Sequence, residues 1–143
     1  MGVTESTGPQ LGVGAIVVHD GELLMVRRAH DPAKGLWSLP GGRVESGEYI
    51  ADAIKREVKE ETGLDVDVHD LVGIFEVMGD AKWKTHYVIL DYAAVPVGDT
   101  EPRAAGDASE ARWVPFDQIE KLECTPRFVE TLTAWGVLSP SGS

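Results

Sequence analysis

The chain has 143 residues, 43% of them hydrophobic and 26% charged, the composition of a globular domain rather than of a disordered, collagenous or coiled-coil chain. Its 13 basic and 24 acidic residues give a net charge of −11, which argues against a binder of nucleic acid polymers. No apolar run approaches the roughly 20 residues of a membrane span, and the single cysteine, Cys124, excludes an intramolecular disulfide or a multi-cysteine zinc site.

The length suits one domain over residues 1–143, with an ordered core of about 11–136 and flexible ends at 1–10 and 139–143. The start, Met1 to Gln10, has neither a basic nor an apolar signal region, so a cytoplasmic protein with no membrane partner is expected. If the substrate is anionic, a divalent cation is the natural offset to so acidic a chain.

Val13 to Val18 is an apolar, β-branched run that predicts a strand, turning at His19-Asp20-Gly21 into a partner strand, Leu23 to Val26. Ala29 to Gly35 is a polar loop with Pro32. Leu36 to Leu39 is a short apolar run, and Pro40-Gly41-Gly42 is expected to forbid a regular strand after it. Tyr49 to Thr62 is the clearest helix: Ile50, Ile54 and Val58 form a core stripe with Ala51 at its edge. Gly63 is placed to stop it. Val66 to Val68, Leu71 to Met78 and Tyr87 to Val97 read as strands, the last two flanking a polar connection, Gly79 to Lys84. A loop, Gly98 to Ser109, leads to a short strand, Ala111 to Val114, and Pro115 to Leu122 holds a helical turn. Thr125-Pro126 resembles an N-cap followed by proline, opening a helix through about Trp135. Such an order predicts an α/β fold, a mixed sheet between helical layers.

The chemistry sits between Gly42 and Leu64. Glu57, Glu60 and Glu61, at i, i+3 and i+4, project from one helical face that borders the core stripe. Partly desolvated like charges destabilise a helix, and a divalent cation would remove that penalty. All-oxygen ligation favours Mg²⁺ or Mn²⁺. The plainer reading is a solvated acidic face with local ion pairs, since Arg56 lies four residues before Glu60 and Asp52 four before Arg56. Gly41 and Gly42 permit close backbone approach to a ligand or metal. Glu48 opens the helix, where a carboxylate suits the dipole, and can reach Arg56 to hold the preceding loop on it.

The pattern G-x5-E-x7-R-E-U-x-E-E-x-G-U, with U a bulky aliphatic residue, is met at Gly42, Glu48, Arg56, Glu57, Val58, Glu60, Glu61, Gly63 and Leu64, and it resembles the Nudix box at every fixed place. The likeness runs from about Gly12 to Leu132 and includes Arg27-Arg28, the Gly-Leu-Trp-Ser-Leu-Pro-Gly-Gly lead-in, His86-Tyr87 and Ala111-Arg112-Trp113-Val114-Pro115. It implies the Nudix fold, an α/β/α sandwich with the box as a loop–helix–loop unit. It also implies metal-dependent hydrolysis of a nucleoside diphosphate derivative. By position, Glu57, Glu60 and Glu61 would be metal ligands assisted by the Gly41 carbonyl, with Glu57 alternatively the base; Glu48 and Arg56 would be the ion pair that shapes the box. A further ligand or base from a late loop would be Asp107 or Glu110, against the plain reading of solvated acidic residues.

Arg27 and Arg28 end a strand near the site, and because neighbours on a strand point oppositely, at most one is a good phosphate contact. Trp37 is expected to pack. Trp83, Tyr87 and Phe75 are candidates for stacking a purine, with core packing as the default, and His86 occupies a position common in one branch of the family. Trp113 and Trp135 are expected in the core. The whole chain looks most like short bacterial ADP-ribose pyrophosphatases, which implies AMP and ribose 5-phosphate as products. The alternatives are a nucleoside triphosphate pyrophosphohydrolase that cleans the nucleotide pool, and a non-cleaving nucleotide-sensing module. Family members are often homodimers, though no stretch here marks an interface.

Overall fold

The computed structural model describes residues 8–31, 33–78 and 86–139. The expected polar connection Gly79 to Lys84 with Trp83, the outermost residues of both ends, and Pro32 lie outside the described residues.

Seven strands form a mixed sheet: β1 (Gln10–His19), β2 (Glu22–Arg28), β3 (Trp37–Ser38), β4 (Gly41–Arg43), β5 (Asp65–Met78), β6 (His86–Val97) and β7 (Ala108–Pro115). The main path runs β3-β2-β1-β6-β5, with β4 added to β1 and β7 to β2. β1 and β6 are parallel, and the other pairings are antiparallel. Helix α1 (Ile50–Thr62) covers one side; a 3₁₀ turn (Phe116–Lys121) and helix α2 (Phe128–Ala134) cover the other.

The period-2 alternation of β1 divides the core. Val13, Ala15 and Val17 pack with Ala53, Ile54 and Val58 of α1 and with Leu64, Val66 and Ala94. Ile16 faces the opposite layer with Leu23, Met25, Trp37, Ile119 and Leu132. Each fully buried aliphatic side chain contributes on the order of 1.5–3 kcal/mol relative to exposure. Trp37 packs in the core as expected, whereas Trp113 and Trp135 are only partly buried at its margins.

Several elements depart from the sequence reading for identifiable reasons. Gly41–Arg43 does form a strand, paired Gly14 to Gly41 and Val13 to Gly42. Pro40 stays just outside it, its carbonyl accepting from Ala15 N at 3.0 Å, so its missing N–H interrupts no ladder. β5 is continuous where two strands were expected, because register shifts between Val68 and Gly73 absorb the irregularity as bulges. β7 begins at Ala108, inside the expected loop.

Helix α1 ends as predicted, with Gly63 at φ 77° donating to Lys59 O. Its buried side, however, is turned toward the flank that carries the glutamates: Ala53 is fully buried while Ala51 is exposed. Helix α2 begins at Phe128, not at Pro126. The Trp37 N–H donates to Glu123 O at 2.8 Å and the Thr125 N–H to Trp37 O at 3.0 Å. This pairing holds Cys124 beside Trp37 of β3, and the turn that follows, with Phe128 N donating to Thr125 O at 3.1 Å, delays the helix. Arg127, in the left-handed region at φ 63°, turns the chain into the helix.

Candidate active site

A cavity of about 1120 Å³ opens between β4, the N-terminal half of β1, the C-terminal end of β5, the N-terminal half of β6 and the start of α2. Glu57 and Glu61 both face it, together with Arg28, Arg56, Gly41, Gly42 and Asp107. Glu60 is not part of the lining; its side chain is half-exposed and lies 3.5 Å from Arg56.

The Glu48–Arg56 contact is present and well formed. Arg56 Nε and Nη2 donate to the two Glu48 oxygens at 2.7 and 3.0 Å, a bidentate geometry with strong directional preference. The same guanidinium donates to Arg43 O at 2.9 Å and to Glu57 Oε1 at 3.0 Å, while Glu45 N donates to Glu48 at 3.0 Å. One arginine thus ties β4, the following loop and α1 together and fixes the Glu57 carboxylate. The Arg56 hydrogen bonds hold Glu48 down at about 2, and Glu48 in turn raises Arg56.

Glu61 is only 8% exposed and accepts a hydrogen bond from Gly41 N at 2.9 Å. Burial pushes it up to about 7, with Glu57 and Asp107 adding repulsion; the Gly41 N–H and Arg28 oppose the rise. Burial raises Glu57 as well, against the pull of Arg56. Close approach here requires glycine: a Cβ on Gly42 would fall on the Glu57 carboxylate, and one on Gly41 on the Val13 carbonyl.

Among the described residues no three His, Cys, Asp or Glu side chains converge as an ion cage. A pair of desolvated, mutually repelling carboxylates beside an open cavity nevertheless suits Mg²⁺ or Mn²⁺. Mg²⁺ is commonly held by one or two carboxylates, completing its shell with water and phosphate oxygens. The residues present therefore fit such an ion.

The two strand-end arginines separate as alternation requires. Arg28 lines the cavity. Arg27 instead pairs with Glu110 at 3.0 Å and donates to Gly35 O at 2.9 Å, so the structure keeps both Arg27 and Glu110 out of the cavity. Asp107 is exposed at the rim, 3.9 Å from His30. His86 pairs with Glu76 at 2.6 Å and is not a lining residue. Phe75 and Tyr87 do line the cavity, each under an arginine: Arg127 lies 5.2 Å from the Phe75 ring centre and Arg43 5.9 Å from that of Tyr87.

Sequence reasoning passed over Asp91, Arg43 and Arg127, all of them lining residues. Asp91 carried a usable signal, as the only acidic residue within the apolar run Tyr87 to Val97. Arg127 carried none, because its place depends on the delayed start of α2.

Comparison with known proteins places the chain. The NUDIX domain model matches residues 8–135. The chain belongs to the NUDIX family. An ADP-ribose pyrophosphatase of Methanocaldococcus jannaschii is 35% identical over 114 residues, 80% of this chain. The chain spans 66% of that relative's length. The crystal structure of a MutT NUDIX hydrolase from Burkholderia pseudomallei superposes with a TM-score of 0.77 at 29% identity, covering 87% of this chain and 96% of that one. A bifunctional NMN adenylyltransferase/ADP ribose pyrophosphatase of Francisella tularensis, complexed with AMP and a Mn ion, gives a TM-score of 0.69 at 26% identity, over 89% of this chain and 41% of that one. The NUDIX fold inferred from the box is thus the fold observed. Among the described residues no helix is long and apolar enough to cross a membrane.

Proposed function

We propose that this NUDIX chain hydrolyses the diphosphate linkage of a nucleoside diphosphate derivative with Mg²⁺ or Mn²⁺, and that ADP-ribose, cleaved to AMP and ribose 5-phosphate, is its preferred substrate. The observation that carries the reading is the Glu57–Glu61 pair, desolvated and mutually repelling, on the wall of a cavity large enough for a nucleotide. The relative named ADP-ribose pyrophosphatase supports the substrate.

In this reading Glu57 and Glu61 hold the ion, with the Gly41 carbonyl and the half-exposed Glu60 within the same loop–helix unit as further oxygen donors. The ion, when bound, offsets phosphate charge and makes bound water a usable nucleophile near neutral pH. The chain's own residues do the positioning. Arg56 fixes the Glu57 carboxylate and locks it to the loop through Glu48. The Gly41 N–H fixes that of Glu61. Arg28, in the cavity lining, would pair with the diphosphate, and Asp107 at the rim would accept a proton from an attacking water.

The test is product release from ADP-ribose, NADH, sugar nucleotides, diadenosine polyphosphates, (deoxy)nucleoside triphosphates and 8-oxo-dGTP, with Mg²⁺ and separately Mn²⁺. AMP from ADP-ribose at a kcat/KM of about 10⁴ M⁻¹s⁻¹ or more, well above the other compounds, is expected. Preference for a triphosphate would overturn the substrate and keep the metal site. Nucleotide binding without cleavage would overturn the hydrolase reading in favour of a sensing module.

A further inference from the structure

Away from the glutamates, the cavity runs along the sheet to a floor where two glycines of β1 make room for side chains of β6. Gly12 and Gly14 on β1 stand in register with Ile89 and Asp91 on β6, so these four residues share one face of the sheet. The β5 register adds Phe75, opposite Ile89. The result is an apolar trough with an aromatic side, the surface a base presents its face to.

Asp91 is the anomaly in that trough. It is 7% exposed, and among the described residues no hydrogen bond or ion pair engages its carboxyl. Burial alone drives it up to about 7, the mark of a carboxyl held without compensation. Its carboxyl fills the space that a Cβ on Gly14 would need, and it is a lining residue of the cavity. No described side-chain oxygen is both fully enclosed and unpartnered, so the remaining access of this carboxyl is to the cavity.

Position gives the group a use. Gly41, Gly14 and Asp91 are aligned across three adjacent strands, which puts the Asp91 backbone about 10 Å from that of Gly41 at the usual strand spacing. Gly41 marks the Glu61 end of the cavity. The separation is comparable to the reach of a nucleotide from its 5′-phosphate to its base edge. We propose that the Asp91 carboxyl accepts a hydrogen bond from the exocyclic amino group of a purine lying in this trough, and so selects amino-substituted purines. The inference rests on the nucleotide reading of the site and deepens it by assigning the residue that reads the base.

Binding of AMP and of purine riboside 5′-monophosphate, which lacks only the 6-amino group, tests this by calorimetry with Mg²⁺ present. The wild type should bind AMP roughly 10- to 100-fold more tightly, the value of a hydrogen bond to a carboxylate. Asp91→Ala should bring the two affinities within about twofold of each other. Asp91→Asn, whose neutral amide oxygen still accepts, should keep a reduced preference of about 2- to 10-fold, whereas Asp91→Val, which only fills the space, should keep none. Thermal melts verify folding, and Asp91→Val, closer in volume, is read in the same way should the alanine variant not fold. Equal wild-type affinity for the two ligands, binding of neither, or undiminished preference in the alanine or valine variant would overturn the inference. Binding needs no turnover, so an inactive protein that still distinguishes the ligands through Asp91 refutes the hydrolase reading alone, and an active one that does not refutes this inference alone.

Discussion

Replacing Glu61 by glutamine should make the metal-free protein more stable while removing its activity. The Glu61 carboxyl is held at about 7 against an ordinary 4.5, chiefly by burial. The folded state therefore binds this proton more tightly than the unfolded chain. Its stabilising effect is complete below pH 4.5 and is lost as the pH rises through about 7. The gap between the two values corresponds to about 3 kcal/mol. Glutamine is isosteric and can still accept the Gly41 N–H, so it escapes that loss. Urea denaturation in EDTA should show Glu61→Gln exceeding the wild type by up to about 3 kcal/mol at pH 8, with the difference closing near pH 4.5. Added Mg²⁺ should stabilise the wild type more than the variant, because only the wild type keeps both carboxylates for the ion. Turnover should fall roughly 100-fold or more. A variant no more stable than the wild type at pH 8 without metal would refute the reasoning, as would a difference that persists unchanged at pH 4.5.

Other expectations follow from the same geometry. Arg28→Ala should raise KM for ADP-ribose roughly tenfold while Arg27→Ala stays within about twofold, measured as steady-state kinetics; the reverse order would contradict the cavity assignment. Gly42→Ala should lower kcat by up to about 100-fold with little change in far-UV circular dichroism, because the new methyl displaces the Glu57 carboxylate. Glu48→Gln should keep measurable turnover but lose stability. The lowered value of Glu48, about 2, means that its contribution is present above pH 4.5 and vanishes as the pH falls through about 2, so acid-unfolding curves of the two proteins should converge at the low end.

What the sequence disclosed was whatever is local. The Glu48–Arg56 contact spans eight residues and one helix start, and the pattern from Gly42 to Leu64 lies on a single loop and helix. Gly63 ends α1 through a bond to Lys59, four residues back. What it concealed depends on distant partners. The start of α2 follows from the pairing of Glu123 and Thr125 with Trp37, and no reading of residues 125–128 alone contains Trp37. Gly41 and Gly42 look like strand breakers until β1 supplies them with a partner. Asp91 becomes a cavity residue only because β6 lies parallel to β1 with Gly14 alongside it.

The divided character of β1 bears on how such a protein can change over time. Its odd positions, Val13, Ala15 and Val17, are committed to the layer under α1, where an altered side chain disturbs the helix that carries the glutamates. Its even positions near the cavity, Gly12 and Gly14, face away from that layer and meet Ile89 and Asp91 instead. A lineage can therefore remodel the ligand end of the strand, trading a glycine and its neighbour together, without reshaping the reactive end. Chemistry and choice of nucleotide are inherited through the same ten residues, yet they can drift apart by alternate letters.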